Sequence, residues 1–255
     1  MTKTAVITGA TSGIGAEFAR RLAQRGYDLV VTGRRMDIIK KMAGALSSEF
    51  GVSIEVIKAE LSDKKDLEGL IRHIKKIGSV EFLVNNAGFG TYDLFWKESI
   101  EEQERMVAVH VTAAMRLAHA VLPAMMERGR GFIVNLSSLG SFLPLKMNAV
   151  YGGSKAFLNI FSESLQMELA GAGIRVQALC PGFTRTDLHG RIEKLGKEEL
   201  KRLDKFYWMQ PDRVVDCSLK CLEKGRVICI PGFRNRLLLC IASMIPRWLY
   251  NRLAM

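Results

Sequence analysis

Short apolar runs alternate with longer amphipathic stretches along this chain, and the two periods predict strands and helices in turn. Thr4-Ala5-Val6-Ile7-Thr8 is a β-branched run too short for a helix. Apolar positions then recur at Ile14, Phe18 and Leu22, a helical spacing that Gly26 stops. The alternation continues, with further strands predicted at 28–32, 53–58, 80–84, 131–136, 174–179 and 227–230. Helices are predicted at 36–50, after Asp63, at 100–126, from Tyr151 to about Ala172, and from Pro211. Strands that alternate with helices pair in parallel through right-handed crossovers. The expected fold is α/β: a doubly wound, mainly parallel seven-stranded sheet with helices on both faces. No repeat, low-complexity tract or linker interrupts the pattern, so one domain is expected over residues 1–255.

Candidate chemistry sits where the predicted elements meet. Gly9-Ala10-Thr11-Ser12-Gly13-Ile14-Gly15 joins the first strand to the first helix. Glycines there let backbone approach a pyrophosphate, and the helix end offers free N–H groups and a positive dipole. The second strand ends at Gly33-Arg34-Arg35. A carboxylate at this place holds a ribose 2′-hydroxyl, whereas arginine accommodates a 2′-phosphate. Two guanidiniums point to NADP(H), set against the plainer reading of surface arginines. Tyr151 and Lys155 are four residues apart on one helix face. A phenol titrates near 10, too high for neutral-pH proton transfer, and a nearby ammonium lowers it. Alone, such a pair also describes many solvated helices.

Composition narrows the classes. The net charge is +11, and the chain from Arg185 onward carries 15 Lys and Arg against 8 Asp and Glu. That basic third faces an anionic substrate, lipid or simply water; nucleic acid is disfavoured, because no basic run is interleaved with aromatics. No apolar run reaches the roughly 20 residues of a membrane span. The N-terminus shows no signal-peptide pattern, so a cytoplasmic location is expected. Five cysteines include no C-x-x-C pair; Cys217 and Cys221 share a helix face, but no histidine cluster joins them. Free thiols and no metal are expected. The segment 187–209 is amphipathic, a lid over a lipophilic substrate or a helix packed on the core. The stretch 233–255 mixes arginines with Leu, Ile, Trp and Tyr, and either lies in a membrane interface or packs against the body or a partner subunit.

Taken together, Thr8-Gly9-x-x-x-Gly13-x-Gly15, Asn85-Asn86-Ala87-Gly88, Ser138, Tyr151-x-x-x-Lys155 and Pro181-Gly182 with Thr184 resemble the short-chain dehydrogenase/reductase family over Thr4 to about Pro231. The stretch 181–186, the paired arginines and the Arg/Leu-rich tail are similar to its NADP-preferring reductases. The resemblance implies a Rossmann-type fold and transfer of the 4-pro-S hydride of NADPH to a carbonyl carbon. Tyr151 is then the general acid/base, Ser138 orients the carbonyl oxygen, and Lys155 lowers the tyrosine pKa and holds the nicotinamide ribose. It assigns cofactor contacts to Gly9, Ser12, Gly13, Ile14, Gly15, Arg34, Arg35, Glu60, Leu61, Asn86, Ala87, Gly88, Pro181, Gly182 and Thr184, besides Tyr151 and Lys155. Ser137 receives no role, and Asn85 is expected to be structural. Fold logic places Leu139, Leu143 and Tyr92 near the serine and Phe183 near the nicotinamide. The resemblance also implies a homodimer or homotetramer paired through helices 100–126 and 152–171.

Two departures from the family pattern matter. His110 stands where the family has an asparagine that helps a water link the lysine to solvent; it keeps a polar relay or is a packed core histidine. Glu60 replaces an aspartate near the adenine. Two functional readings follow: an enzyme acting on a small to medium lipophilic carbonyl or alcohol, or a non-catalytic NADP(H) sensor or scaffold on the same fold.

Overall fold

The computed structural model describes residues 3–91, 93–185, 208–246, 250 and 252. Seven parallel strands form one sheet in the order β3-β2-β1-β4-β5-β6-β7. They are β1 (Thr4–Thr8), β2 (Asp28–Gly33), β3 (Ile54–Lys58), β4 (Val80–Asn85), β5 (Gly131–Leu136), β6 (Ile174–Leu179) and β7 (Ile228–Cys229). β1 is buried at every position, as a central strand covered on both faces must be. Its side chains alternate: Ala5 and Ile7 enter one core, Val6 the other.

The helices divide between the two faces accordingly. α1 (Gly13–Gln24), α2 (Met36–Phe50) and α7 (Pro211–Glu223) bury Phe18, Leu22, Ile39, Leu46, Val214 and Leu219 on one side. α3 (Lys64–Ile77), α5 (Ala113–Arg128) and α6 (Ala149–Glu168) bury Leu67, Leu70, Leu117, Val121 and Leu165 on the other. The doubly wound architecture expected from the sequence is the one observed, with every described strand pair parallel.

Local differences have local causes. α6 begins two residues before Tyr151 and stops at Glu168, because Gly171 and Gly173 turn the chain in the left-handed region. β7 is only two residues long. The expected helix over 100–126 is α4 (Ile100–Val107), a π-helical turn over Ala108–Thr112, and α5, running on to Arg128. By length and composition this continuous helix, Ile100–Arg128, could cross a membrane, contrary to the reading of the sequence. Here it is a core helix whose buried face, from Ala113 to Met125, packs in the second core. α8 (Phe233–Met244) follows β7, and Tyr250 beyond it donates a hydrogen bond to the Pro144 carbonyl at 2.9 Å.

Candidate active site

A parallel sheet brings the loops after its strands to one edge, and strand order reverses between β1 and β4. The glycine-rich turn follows β1, Arg34 and Arg35 follow β2, Asn86-Ala87-Gly88 follow β4, Ser138 follows β5, and Pro181-Gly182 follow β6. Five expected motifs thus meet at that reversal.

The turn after β1 is shaped by close backbone approach. A Cβ on Gly15 would lie 2.4 Å from both the Gly9 carbonyl oxygen and Asn86 Nδ2. Gly9 and Gly13 take positive φ. Asn86 fastens the turn to β4: its Nδ2 donates to the carbonyls of Thr8 and Gly9, both at 2.9 Å. Thr8 Oγ1 accepts from the amides of Asn86 and Ala87 at 3.0 Å. At the start of α1, Ser12 makes no side-chain cap, so the first amides of that helix are left for a ligand. Arg35 Nη2 reaches Thr11 Oγ1 at 2.9 Å and Ser12 Oγ at 3.0 Å, which hangs its guanidinium over the turn. Arg34 meets Glu60 at 3.4 Å on an exposed surface, a pair weak enough for a phosphate to displace. Glu60 is therefore turned toward Arg34 and Ser62. Leu61 is buried in the second core.

Ser138, just past the end of β5, stands beside Tyr151 on the first turn of α6, near enough for its hydroxyl to act on the phenol. The Gly140 amide donates to Ser138 Oγ at 3.1 Å and fixes its rotamer. Lys155 is 3% exposed; its Nζ donates to the Leu136 carbonyl at 2.8 Å and lies 5.6 Å from the Tyr151 ring centre. Burial pushes this amine down to about 7. Burial also raises Tyr151, with the neighbouring Ser138 hydroxyl opposing it. The expectation that Lys155 lowers the tyrosine is thus not met here. The phenol and the amine are both desolvated, which opposes the charged form of each.

His110 is buried on the π-helical turn, and both of its nitrogens are engaged. Nε2 accepts the Phe89 amide at 3.1 Å, and Nδ1 lies 2.9 Å from Ser154 Oγ, which in turn donates to the Tyr151 carbonyl at 2.7 Å. The proton therefore sits on Nδ1. Burial, and then the Lys155 charge, hold the ring neutral well below the ordinary histidine value. A cavity of about 10 Å3, lined by His110, Lys155, Asn85 and Leu136 among others, adjoins it. That is about the space of one water. Asn85 donates to Asn135 Oδ1 and the Ala114 carbonyl, as a structural residue would, but its own Oδ1 is buried without a partner.

Some positioning residues escaped the sequence reading. Ser137 Oγ donates to the Lys155 carbonyl at 2.9 Å and ties α6 to β5. Asn159 donates to Ser141, whose hydroxyl donates to the Ser138 carbonyl. The adjacency of Ser137 to Ser138 was the one available signal. Thr184 folds its hydroxyl onto the Gly182 carbonyl, and Phe183 packs against Trp208. Leu139 opens a short 3₁₀ turn, and Leu143 lines a cavity of about 490 Å3 with Phe142, Pro144, Ile230 and residues of α8. Tyr92 and residues 186–207, most of the expected lid, lie outside the described residues.

The Lys155 shift has a measurable consequence. Between about pH 7 and 10.5 the unfolded chain holds a proton that the folded amine has lost. Stability contributed by this group therefore rises with pH across that window, and its burial cost is greatest below it. Urea titrations should show this rise, and Lys155→Met should flatten it. Equal slopes in both proteins would mean that Lys155 is not desolvated.

The short chain dehydrogenase family profile matches residues 3–195. An uncharacterized oxidoreductase of Staphylococcus epidermidis is 30% identical over 83% of this chain and 93% of its own. A short-chain dehydrogenase from Sphingobium yanoikuyae, solved in complex with NADPH, superposes with a TM-score of 0.83 at 34% identity, covering 95% of this chain and 93% of that one. A bulky-bulky ketone specific alcohol dehydrogenase from Comamonas testosteroni gives 0.80 at 34% identity, covering 95% and 92%. With its motifs gathered at one sheet edge and its relatives aligned over most of their length, the chain belongs to the short-chain dehydrogenase family.

Proposed function

We propose that this protein is an NADP(H)-dependent oxidoreductase that interconverts a carbonyl and an alcohol. The observation that carries this reading is buried Lys155, its Nζ held on the Leu136 carbonyl 5.6 Å from the Tyr151 ring centre, with Ser138 two residues beyond that carbonyl. The residues present fit the cofactor: α1 has an uncapped start, Gly9 and Gly15 leave no room for a side chain, and Arg34 and Arg35 follow β2. NADPH, when bound, supplies the hydride. Gly9 to Gly15 hold the pyrophosphate, the two arginines the 2′-phosphate, and Lys155 with Asn86-Ala87-Gly88, Pro181, Gly182 and Thr184 the nicotinamide end.

Tyr151 then gives its proton to the oxygen on which charge develops, and Ser138 donates to the same oxygen. A raised phenol pKa keeps that proton in place until it is needed. Reprotonation runs through Lys155, whose amine sits near neutrality. His110 does not shuttle, because both nitrogens are spent on Phe89 and Ser154; it fixes Gly88-Phe89 and the first turn of α6. The small cavity that Lys155 shares with Asn85 has room for one water, for which the partnerless Asn85 Oδ1 is an acceptor. The reading of a small to medium lipophilic substrate rests on the apolar residues Leu139, Leu143 and Phe183 in the loops after β5 and β6; the larger cavity beside Leu143 is lined by none of Ser138, Tyr151 and Lys155. With Ser138, Tyr151 and Lys155 assembled, nothing favours the sensor or scaffold.

The chain is read as one domain in a reducing, cytoplasmic setting, consistent with five free cysteines. Phe157 and Ile160, exposed on α6, supply apolar surface for a homodimer or homotetramer. Phe233, Leu237, Ile241 and Met244 form an exposed stripe on α8 that meets either lipid or a subunit.

Three outcomes are expected. Tyr151→Phe should lower NADPH-dependent turnover across a ketone and aldehyde panel by about 10²- to 10⁴-fold with the fold intact. A panel in which no turnover depends on Tyr151 would revive the sensor. Arg34→Asp should weaken NADPH binding by roughly tenfold or more while sparing NADH, and equal affinities in the native protein would sink the 2′-phosphate assignment. Pelleting with anionic vesicles at low salt, beside light scattering of Ile160→Glu, should separate lipid from subunit contacts. No pelleting removes the membrane, and an unchanged mass removes α6 from the interface.

A further inference from the structure

The three cysteines at the far edge of the sheet have no part in hydride chemistry, yet the fold gathers them. Cys217 and Cys221 are one turn apart on α7, and Cys229 is the last residue of β7. Their sulfur atoms all lie within 4.8 Å of one another, and Cys217 Sγ is 4.0 Å from Cys229 Sγ. Thiolates bound at about 2.3 Å around one cation stand about 4.0 Å apart in a planar triangle. Cys217 and Cys229 already stand at that spacing, and Cys221 lies within 4.8 Å of both.

The surroundings suit bound thiolates. The Arg236 charge acts on Cys217. The Arg226 charge acts on Cys221. Positive charge beside sulfur supports a metal–thiolate centre whose own charge is negative. Cys229 is fully buried, while Cys217 and Cys221 are half-buried, which leaves an entry path. No histidine or carboxylate joins the three sulfurs among the described residues. An all-sulfur set selects soft cations.

We propose that Cys217, Cys221 and Cys229 form a three-thiolate site for a thiophilic d10 cation, zinc(II) or copper(I). On binding, each thiol releases its proton to solvent and each sulfur gives a lone pair to the cation, with no change in oxidation state. Zinc completes its shell with a water on the open side; copper(I) is satisfied by the triangle. The structural effect is to pin β7, the shortest strand, to α7. The sequence hid this site because Cys229 lies beyond the helix that carries the other two.

The test uses the full-length protein, reduced and kept free of oxygen, with cadmium as a spectroscopic probe. Native protein should take up a single cadmium ion per chain, giving a thiolate-to-metal charge-transfer band and a higher Tm. Zinc or copper(I) should displace it, and the stronger competitor names the resident ion. Cys217→Ser and Cys221→Ser should each lose at least about tenfold in affinity while keeping the native circular dichroism and NADPH binding. Cys240→Ser, outside the cluster, should bind as the native protein does. Absence of the band, or equal binding by the cluster variants, overturns the proposal. So does protein that, without reductant, shows a Cys217–Cys229 disulfide and takes up no metal after reduction.

Discussion

An amine buried to 3% exposure and donating to the Leu136 carbonyl is expensive to keep, and much of this fold is arranged to keep Lys155 there. Its acceptor is the last carbonyl of β5, so strand and lysine are set by one hydrogen bond. Ser137 returns the tie by bonding the Lys155 carbonyl. The π-helical turn brings His110 against Gly88, leaving so little room that a Cβ on the glycine would sit 2.7 Å from Nε2. A fully charged lysine would be intolerable here without a counter-charge. Its descent to about 7 relieves the fold, and in the proposed reaction it also makes the group an exchanger of protons.

The site's chemistry and its support come from different layers of the chain. Tyr151, Ser138 and Lys155 lie on or beside two elements, β5 and α6. What aligns those elements is a set of ordinary buried polar groups. Asn85, Asn135 and Ser162 form a chain across β4, β5 and α6. Asn86 locks the glycine turn to β4 from the other side. Buried amides of this kind are stable only when satisfied, so they specify one register rather than adding much energy.

Legibility in the sequence followed the range of the interactions. Strand β1, the glycine turn and the Tyr151–Lys155 spacing are local patterns, and periodicity revealed them. The doubly wound, parallel seven-stranded class was reached because alternating strands and helices leave few topologies open, while the order of the strands came from the structure. What stayed hidden depends on contacts between distant residues. The fate of the His110 nitrogens is decided by Phe89 and Ser154, 21 and 44 positions away. The tyrosine pKa was misjudged for a related reason. Spacing reveals that an ammonium is close, but not that it is desolvated and half neutral. Likewise the pairing of Glu60 with Arg34 joins loops after β3 and β2, which no pattern within either loop encodes.

The π-helical turn carries one residue more than an α-helical turn needs. Because the wider turn covers about the same rotation with that extra residue, α4 and α5 keep the phase of one continuous helix. Met106 and Leu117, on either side of the turn, both stay fully buried. Deleting one position from Ala108 to Thr112 would therefore keep both halves in register while removing the bulge that carries His110 against Gly88. The irregularity is a local outgrowth of a helix whose two halves do not need it, and its cost is borne where the site gains a shape.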